Sequence, residues 1–266
     1  MRYVHGYSER EAQRLHDQAA SVRELLHADT HYAPGELVLE AGCGVGAQTV
    51  TLASNSPGTQ FVCVDIAGAS VCQARELIRS RRLGGAQFAL ADVYALPFGE
   101  ARFDHLFVCF LLEHLPDPAG ALAALRRVLR EDGTITVIEG DHGSCYFHPP
   151  TPAARAVWQC LIDCQAAIGC DSLIGRRLYP LLATAGYREI AVSPRMVYAD
   201  PSRPELRHSF VATTITPMVE GVREQALAAG MIDQATWERG IEELYAIPQS
   251  PEGTFCYTFF KAVARR

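Results

Sequence analysis

This sequence predicts an α/β fold built on a parallel sheet with helices on both faces, and three observations predict it. Short apolar runs alternate with helix-period segments from Leu37 to Glu139. Phe103–Phe110 is a near-continuous apolar run, as a strand buried on both faces requires. A glycine-rich turn, Glu40-Ala41-Gly42-Cys43-Gly44-Val45-Gly46, stands between the first strand and the helix that follows it.

The elements follow in order. Ser8-Glu9-Arg10-Glu11 is a capping-box pattern that opens a leader helix. Its apolar residues Ala12, Leu15, Ala19, Val22, Leu25 and Leu26 recur at three- and four-residue steps, and Pro34-Gly35 ends it. Leu37-Val38-Leu39 is the first strand, and a helix runs from the glycine turn to about Ser54. Gln60–Ile66 is the second strand; Ala69–Arg82 is a helix with Val71, Ala74, Leu77 and Ile78 inward. Ala86–Ala91 and Phe103–Phe110 are the third and fourth strands. Asp117-Pro118 caps a helix that reaches Arg130 and carries Leu122, Leu125, Val128 and Leu129 inward. Thr134–Glu139 is the fifth strand, and Asp141–Pro150 reads as a polar loop. Thr151-Pro152 starts a long helix, and Leu178–Ala185 is another. Tyr187–Tyr198 and Thr254–Ala264 are the closing strands. Between them lie helical patterns over Leu206–Val222, interrupted by Pro217, and over Asp233–Leu244.

Composition narrows the class. A chain of 266 residues suits one to two domains and needs no staples to bury a core. With 48% hydrophobic residues it is neither a disordered nor a collagen-like chain. No apolar run reaches the roughly 18 residues of a membrane span, and Met1–Gly6 lacks the apolar core of a secretory signal. Lys and Arg total 24 against 30 Asp and Glu, and a net −6 argues against nucleic-acid or anionic-membrane partners. A cytoplasmic globule is expected. Nine cysteines with no CxxC pair suit reduced thiols used as small hydrophobes. Cys160, Cys164 and Cys170 could hold a metal, but Cys160 and Cys164 fit the buried face of one helix better, so no metal site is assigned.

Chemistry concentrates at the glycine turn. Three glycines at alternate positions let the backbone turn tightly and let a ligand approach closely. The helix after them aims its N-terminal amides at that ligand. With Ala47 the segment also satisfies the dinucleotide fingerprint G-x-G-x-x-G/A. Asp65 ends the second strand, where a carboxylate can accept both hydroxyls of a ribose, and Asp92 ends the third. Each alone could be a helix cap. Together, at consecutive strand C-termini, they mark the edge where open α/β sheets bind ligands.

These residues resemble a family. Glu40–Gly46, Val64-Asp65-Ile66, Ala91-Asp92-Val93, Leu96-Pro97-Phe98, Phe103-Asp104 and Leu112-Glu113-His114-Leu115 are similar to the class I S-adenosylmethionine-dependent methyltransferases, in the branch acting on small specialised metabolites. The resemblance is close over about 36–140 and loose beyond. It implies a Rossmann-like, seven-stranded, mainly parallel sheet whose last strand is antiparallel. It further implies that Gly42, Gly44 and Gly46 bracket the methionine moiety, with Glu40 near its amino end. Asp65, with Ile66 beside it, would hold the ribose, and Asp92 with the Val93 amide the adenine. The backbone around Cys109 and Phe110 would accept the cofactor ammonium, and His114 would lie near the cofactor edge. Gln48 could reach the cofactor from the start of its helix. Ala67-Gly68 replaces the family's frequent Ser-Pro, and Glu131-Asp132-Gly133 its Pro-Gly-Gly turn; neither change removes a proposed ligand.

On this resemblance the organisation is an N-terminal helical cap (1–33), a cofactor-binding core (34–140) and a substrate-binding half of the same fold (141–266) with a helical insertion over 200–250. Methyl transfer from a sulfonium is an in-line displacement needing alignment and exclusion of water. A base is required only when the acceptor must lose a proton. His142, with Asp141, is the candidate base or acceptor-orienting group, although both could instead form local loop hydrogen bonds. His148 is a lesser candidate. Tyr3, Tyr7, Phe147, Tyr198, Phe210, Met218 and Trp237 suit an apolar pocket for a small lipophilic substrate, or else pack as helix-to-sheet core. The leader's apolar face could join two copies as a homo-oligomer. Two alternatives stay open: an NAD(P)-dependent oxidoreductase, against which stands the lack of a Tyr-x-x-x-Lys pair, and a non-catalytic cofactor-binding member. Lys261 is the only lysine.

Overall fold

The computed structural model describes residues 17, 19 and 21–266. The predicted capping box at Ser8–Glu11 and the aromatic residues Tyr3 and Tyr7 lie outside the described residues. A short helix α1 (Arg23–His27) precedes β1 (Leu37–Ala41), α2 (Ala47–Asn55), β2 (Gln60–Asp65), α3 (Gly68–Ser80), β3 (Ala86–Leu90) and β4 (Phe103–Cys109). Then come α4 (Pro118–Val128), β5 (Leu129–His148), α5 (Pro152–Ala167), α6 (Leu178–Thr184), β6 (Arg188–Ala199), a helical segment leading to α7 (Gln234–Ala246), and β7 (Thr254–Arg265).

The seven strands form one sheet in the order β3-β2-β1-β4-β5-β7-β6. The first five pair in parallel, for instance Glu40 with Cys63 and with Phe107, and Cys109 with Ile138. β7 runs the other way. Arg266 N donates to Gly133 O at one end, while Thr258 N donates to Ser144 Oγ further along β5. Rising numbers in β5 thus meet falling numbers in β7.

Sequence and burial agree where the sheet is covered on both faces. Val38, Leu39, Phe61, Val64, Leu106, Phe107, Val108, Ile135 and Val137 are all buried. Leu122, Leu125 and Val128 of α4 pack into that core, and α3 buries Val71, Ala74 and Ile78.

Two compact units share the chain. A core unit comprises Arg23–Gly140, Leu173–Arg195 and Phe259–Arg266. The other, here the helical unit, includes Asp141–Ser172 and Met196–Thr258. The expected loop over Asp141–Pro150 is not a loop: β5 continues to His148. The physical reason is a partner strand distant in sequence, since Ser144 bonds Thr258 and the Phe147 ring stacks 6.2 Å from Phe255. The helix expected over Leu206–Val222 is a π-helix at Arg207–Ile215 followed by an α-turn at Thr216–Glu220. Among the described residues no helix is long and apolar enough to cross a membrane.

Candidate functional site

The glycine turn leaves β1 with three left-handed residues: φ is +77° at Gly42, +50° at Gly44 and +83° at Gly46. Only glycine takes such angles without strain. Gly46 is also crowded, because a Cβ there would stand 3.0 Å from Ala74 Cα. Gly44 faces open space, with nothing within 4 Å of a Cβ. That opening on the bare backbone suits close approach by a ligand. Glu40, two residues before Gly42, is buried and accepts a 2.6 Å hydrogen bond from Thr49 Oγ1 at the start of α2. Burial pushes its carboxyl up to about 7.

Asp65 ties this turn to β2. Its Oδ2 accepts from Gly44 N at 2.9 Å and its Oδ1 from Ala67 N at 2.8 Å. Each oxygen keeps a second lone pair for a ligand hydroxyl. Next to it, Ile66 is 51% exposed, and Leu90 at the end of β3 is 64% exposed. Apolar side chains left open beside two acids suit the face of a flat aromatic base. Asp92 caps the short turn Val93–Ala95 by accepting from Tyr94 N at 3.0 Å.

A fourth acid, Glu139, to which the sequence pattern assigns no role, organises the segment after β4. Glu139 is fully buried near the point where the chain leaves the core unit. Its Oε1 accepts from both Leu111 N (3.0 Å) and Leu112 N (2.7 Å). Burial, with the nearby Glu113, holds the Glu139 carboxyl well above the usual carboxylate range. Cys109 ends β4 buried, and Phe110 adopts φ +55°, unusual for an aromatic residue. The Phe110 ring lies 5.5 Å from Phe259. His114 closes the following turn, its Nε2 3.5 Å from Glu113 Oε1.

Gln48 does not face an open site alone: its Oε1 lies 2.9 Å from His27 Nε2 of α1. Lys261 is also engaged. It is buried, and its Nζ donates to Asp29 Oδ1 and Thr30 Oγ1, each at 2.6 Å, and to Leu26 O at 3.3 Å. The only lysine of the chain is therefore spent on anchoring the segment after α1 to β7, which weakens an oxidoreductase reading further.

Asp141 and His142 belong to the helical unit, whereas Glu40, Asp65 and Glu139 belong to the core unit. Asp141 Oδ1 accepts from Gly143 N at 3.0 Å, a local bond of the kind weighed from sequence. His142 is built in more deeply: its Nδ1 is 2.7 Å from the Tyr257 hydroxyl, and its carbonyl accepts from Trp158 Nε1 at 2.8 Å. Trp158, Tyr257, Phe210 and Phe255 form an aromatic cluster within the same unit. Phe210, Met218 and Trp237 are buried core residues, whereas Tyr198 is 47% exposed. His148, at the end of β5, is exposed.

Comparison with known proteins agrees with this geometry. Residues 39–137 match a family model described as a methyltransferase domain. An uncharacterised 37.1 kDa protein in a transposon of Streptomyces fradiae is 30% identical over 235 residues, 87% of this chain and 64% of that protein. The O-methyltransferase resE of Aspergillus sclerotiorum is 28% identical over 58% of this chain and 55% of its own length. The chain thus spans less than two thirds of the curated relatives it matches first. Among solved structures, phosphoethanolamine N-methyltransferase 2 of Haemonchus contortus, in complex with phosphomonomethylethanolamine and S-adenosylhomocysteine, superposes with a TM-score of 0.56 at 15% identity. That match covers 94% of this chain and 53% of the other, and at such identity it speaks for the fold. Over residues 39–137 the chain is thus similar to a methyltransferase domain.

Proposed function

We propose that the protein transfers a methyl group from S-adenosylmethionine to a carbon, oxygen or nitrogen atom of a small lipophilic metabolite, isoprenoid or aromatic, leaving S-adenosylhomocysteine. The observation that carries the reading is the turn itself: three left-handed glycines, one open to a ligand, hydrogen-bonded through Gly44 to the acid that ends β2. When bound, the cofactor supplies an electrophilic methyl on a sulfonium.

The chain's residues bind and orient. Gly42, Gly44 and Gly46 take the methionine moiety, with Glu40 near its ammonium and Gln48 at the edge. Asp65 receives the ribose hydroxyls on the lone pairs its backbone bonds leave over. Asp92 and the Val93 amide take the adenine edge, and Ile66 covers its face. The carbonyls around Cys109 and Phe110 accept the ammonium, and His114 borders the cofactor. Alignment of nucleophile and methyl, with water excluded, can lower the barrier by roughly 7–11 kcal/mol. His142, with Asp141, orients the acceptor or takes its proton. The half 141–266, with its insertion over 200–250, sets substrate choice, and the apolar positions of the leader sequence would meet a second copy.

The test is incubation with methyl-labelled cofactor and a panel of phenolic and isoprenoid-tailed metabolites. Label in an organic-extractable product is expected. A chain that binds S-adenosylhomocysteine yet transfers no label to any acceptor would contradict the catalytic reading.

A further inference from the structure

We infer that Glu139 is the positioning residue that sets the ammonium-accepting segment of the cofactor site, acting through Leu111. The inference rests on the cofactor reading above and extends it to a residue that reading leaves without a role.

The geometry is a chain of contacts within the core unit. Glu139 Oε1 takes both Leu111 N and Leu112 N, two consecutive donors that leave β4 and would otherwise be stranded in a buried turn. One residue earlier, Phe110 N is held by Ile138 O at 2.9 Å, the neighbour of Glu139 in β5. Three successive backbone N–H groups, at 110, 111 and 112, are thereby fixed by two successive residues of β5. Phe110 can sit at φ +55° because the donors on either side of its own peptide carbonyl are tied down. The Leu111 side chain in turn presses on the glycine turn: a Cβ on Gly42 would lie 2.9 Å from Leu111 Cδ1. The carboxylate therefore sets where the carbonyls of Cys109 and Phe110 point and, through Leu111, where Gly42 stands. Both flank the amino-acid end of the cofactor. The backbone bonds of Asp65 to Ala67 and of Asp92 to Tyr94, at the adenosine end, involve neither Glu139 nor Leu111.

This division supplies the experiment. The full chain is titrated calorimetrically with S-adenosylhomocysteine and, separately, with 5′-methylthioadenosine, which keeps the adenosine and thioether but has no amino-acid end. Glu139→Ala should weaken S-adenosylhomocysteine by about tenfold or more, the cost of stranding buried donors, and leave methylthioadenosine within about twofold. Glu139→Gln keeps an acceptor oxygen in place and should restore S-adenosylhomocysteine binding. Equal weakening of both ligands, an unchanged S-adenosylhomocysteine affinity, or a Gln variant as weak as Ala would each overturn the inference. The last would mean that the charge acts on the ligand directly. Should Glu139→Ala fail to fold, Leu111→Ala tests the same link, with selective loss of S-adenosylhomocysteine expected and unchanged affinity overturning it. A wild-type chain that binds neither ligand would instead remove the cofactor reading itself.

Discussion

In the core unit three acids bond to backbone: Asp65 to Gly44 and Ala67, Asp92 to Tyr94, Glu139 to Leu111 and Leu112. In the helical unit the central polar groups are instead set among rings, with His142 bonded to Tyr257 and its carbonyl to Trp158. The first arrangement fixes the shape of turns, because a carboxylate accepting two amides leaves the chain little freedom. The second fixes the orientation of one imidazole inside an apolar cluster. The difference teaches that one unit spends its polar groups on holding a ligand-shaped backbone, the other on orienting a single side chain.

The largest expected effect breaks the backbone side of this comparison. Gly46→Ala should cost about 3 kcal/mol, combining left-handed strain with a clash against α3. Gly44→Ala should cost only about 1–2 kcal/mol, since its surroundings are open. Urea denaturation measures both, and equal losses would refute the crowding argument at Gly46.

Next in size is pH. Because burial raises the Glu40 carboxyl from an ordinary 4.5 to about 7, the folded chain holds that proton more tightly than the unfolded one. Its contribution to stability should therefore fall as pH rises through that window, by about 3 kcal/mol in all. Glu40→Gln should flatten the fall. A stability profile unchanged by that substitution would show that the carboxyl titrates normally.

The smallest effect probes the helical unit. Tyr257→Phe removes the hydroxyl beside His142 Nδ1 and should cost about 1–2 kcal/mol in thermal or denaturant unfolding. The same variant should shift the imidazole NMR signals of His142. A neutral substitution with unmoved signals would mean that the 2.7 Å contact does not orient the ring.

What could be read from sequence divides along the same line. The glycine turn, Asp65 and Asp92 were legible because short-range spacing alone places them at consecutive strand ends. Glu139 was legible only as the last residue of the fifth strand, since its partners, Leu111 and Leu112, lie nearly thirty residues earlier in the chain. The extension of β5 to His148 depends on β7, whose pairing residues lie more than a hundred positions away. The extension reads Asp141-His142-Gly143-Ser144-Cys145-Tyr146-Phe147-His148, with small residues and aromatics in consecutive blocks, so no clean period of two announces a strand. The π-helix at Arg207–Ile215 is likewise invisible to a search at the α-helical period. The apolar periods did place the helix faces well: Val71, Ala74 and Ile78 of α3 are buried as expected, and Leu77 partly so.

The central claim is that the turn at Gly42–Gly46 and Asp65 hold the adenosine and methionine of one particular cofactor. Calorimetric titration of the wild-type chain and of Asp65→Ala with S-adenosylhomocysteine, and in parallel with NAD, tests it most directly. The account expects saturable S-adenosylhomocysteine binding, weakened by about 1–3 kcal/mol in the variant, and no comparable NAD binding. Tight NAD binding with none of S-adenosylhomocysteine, or a variant with unchanged affinity, would contradict it.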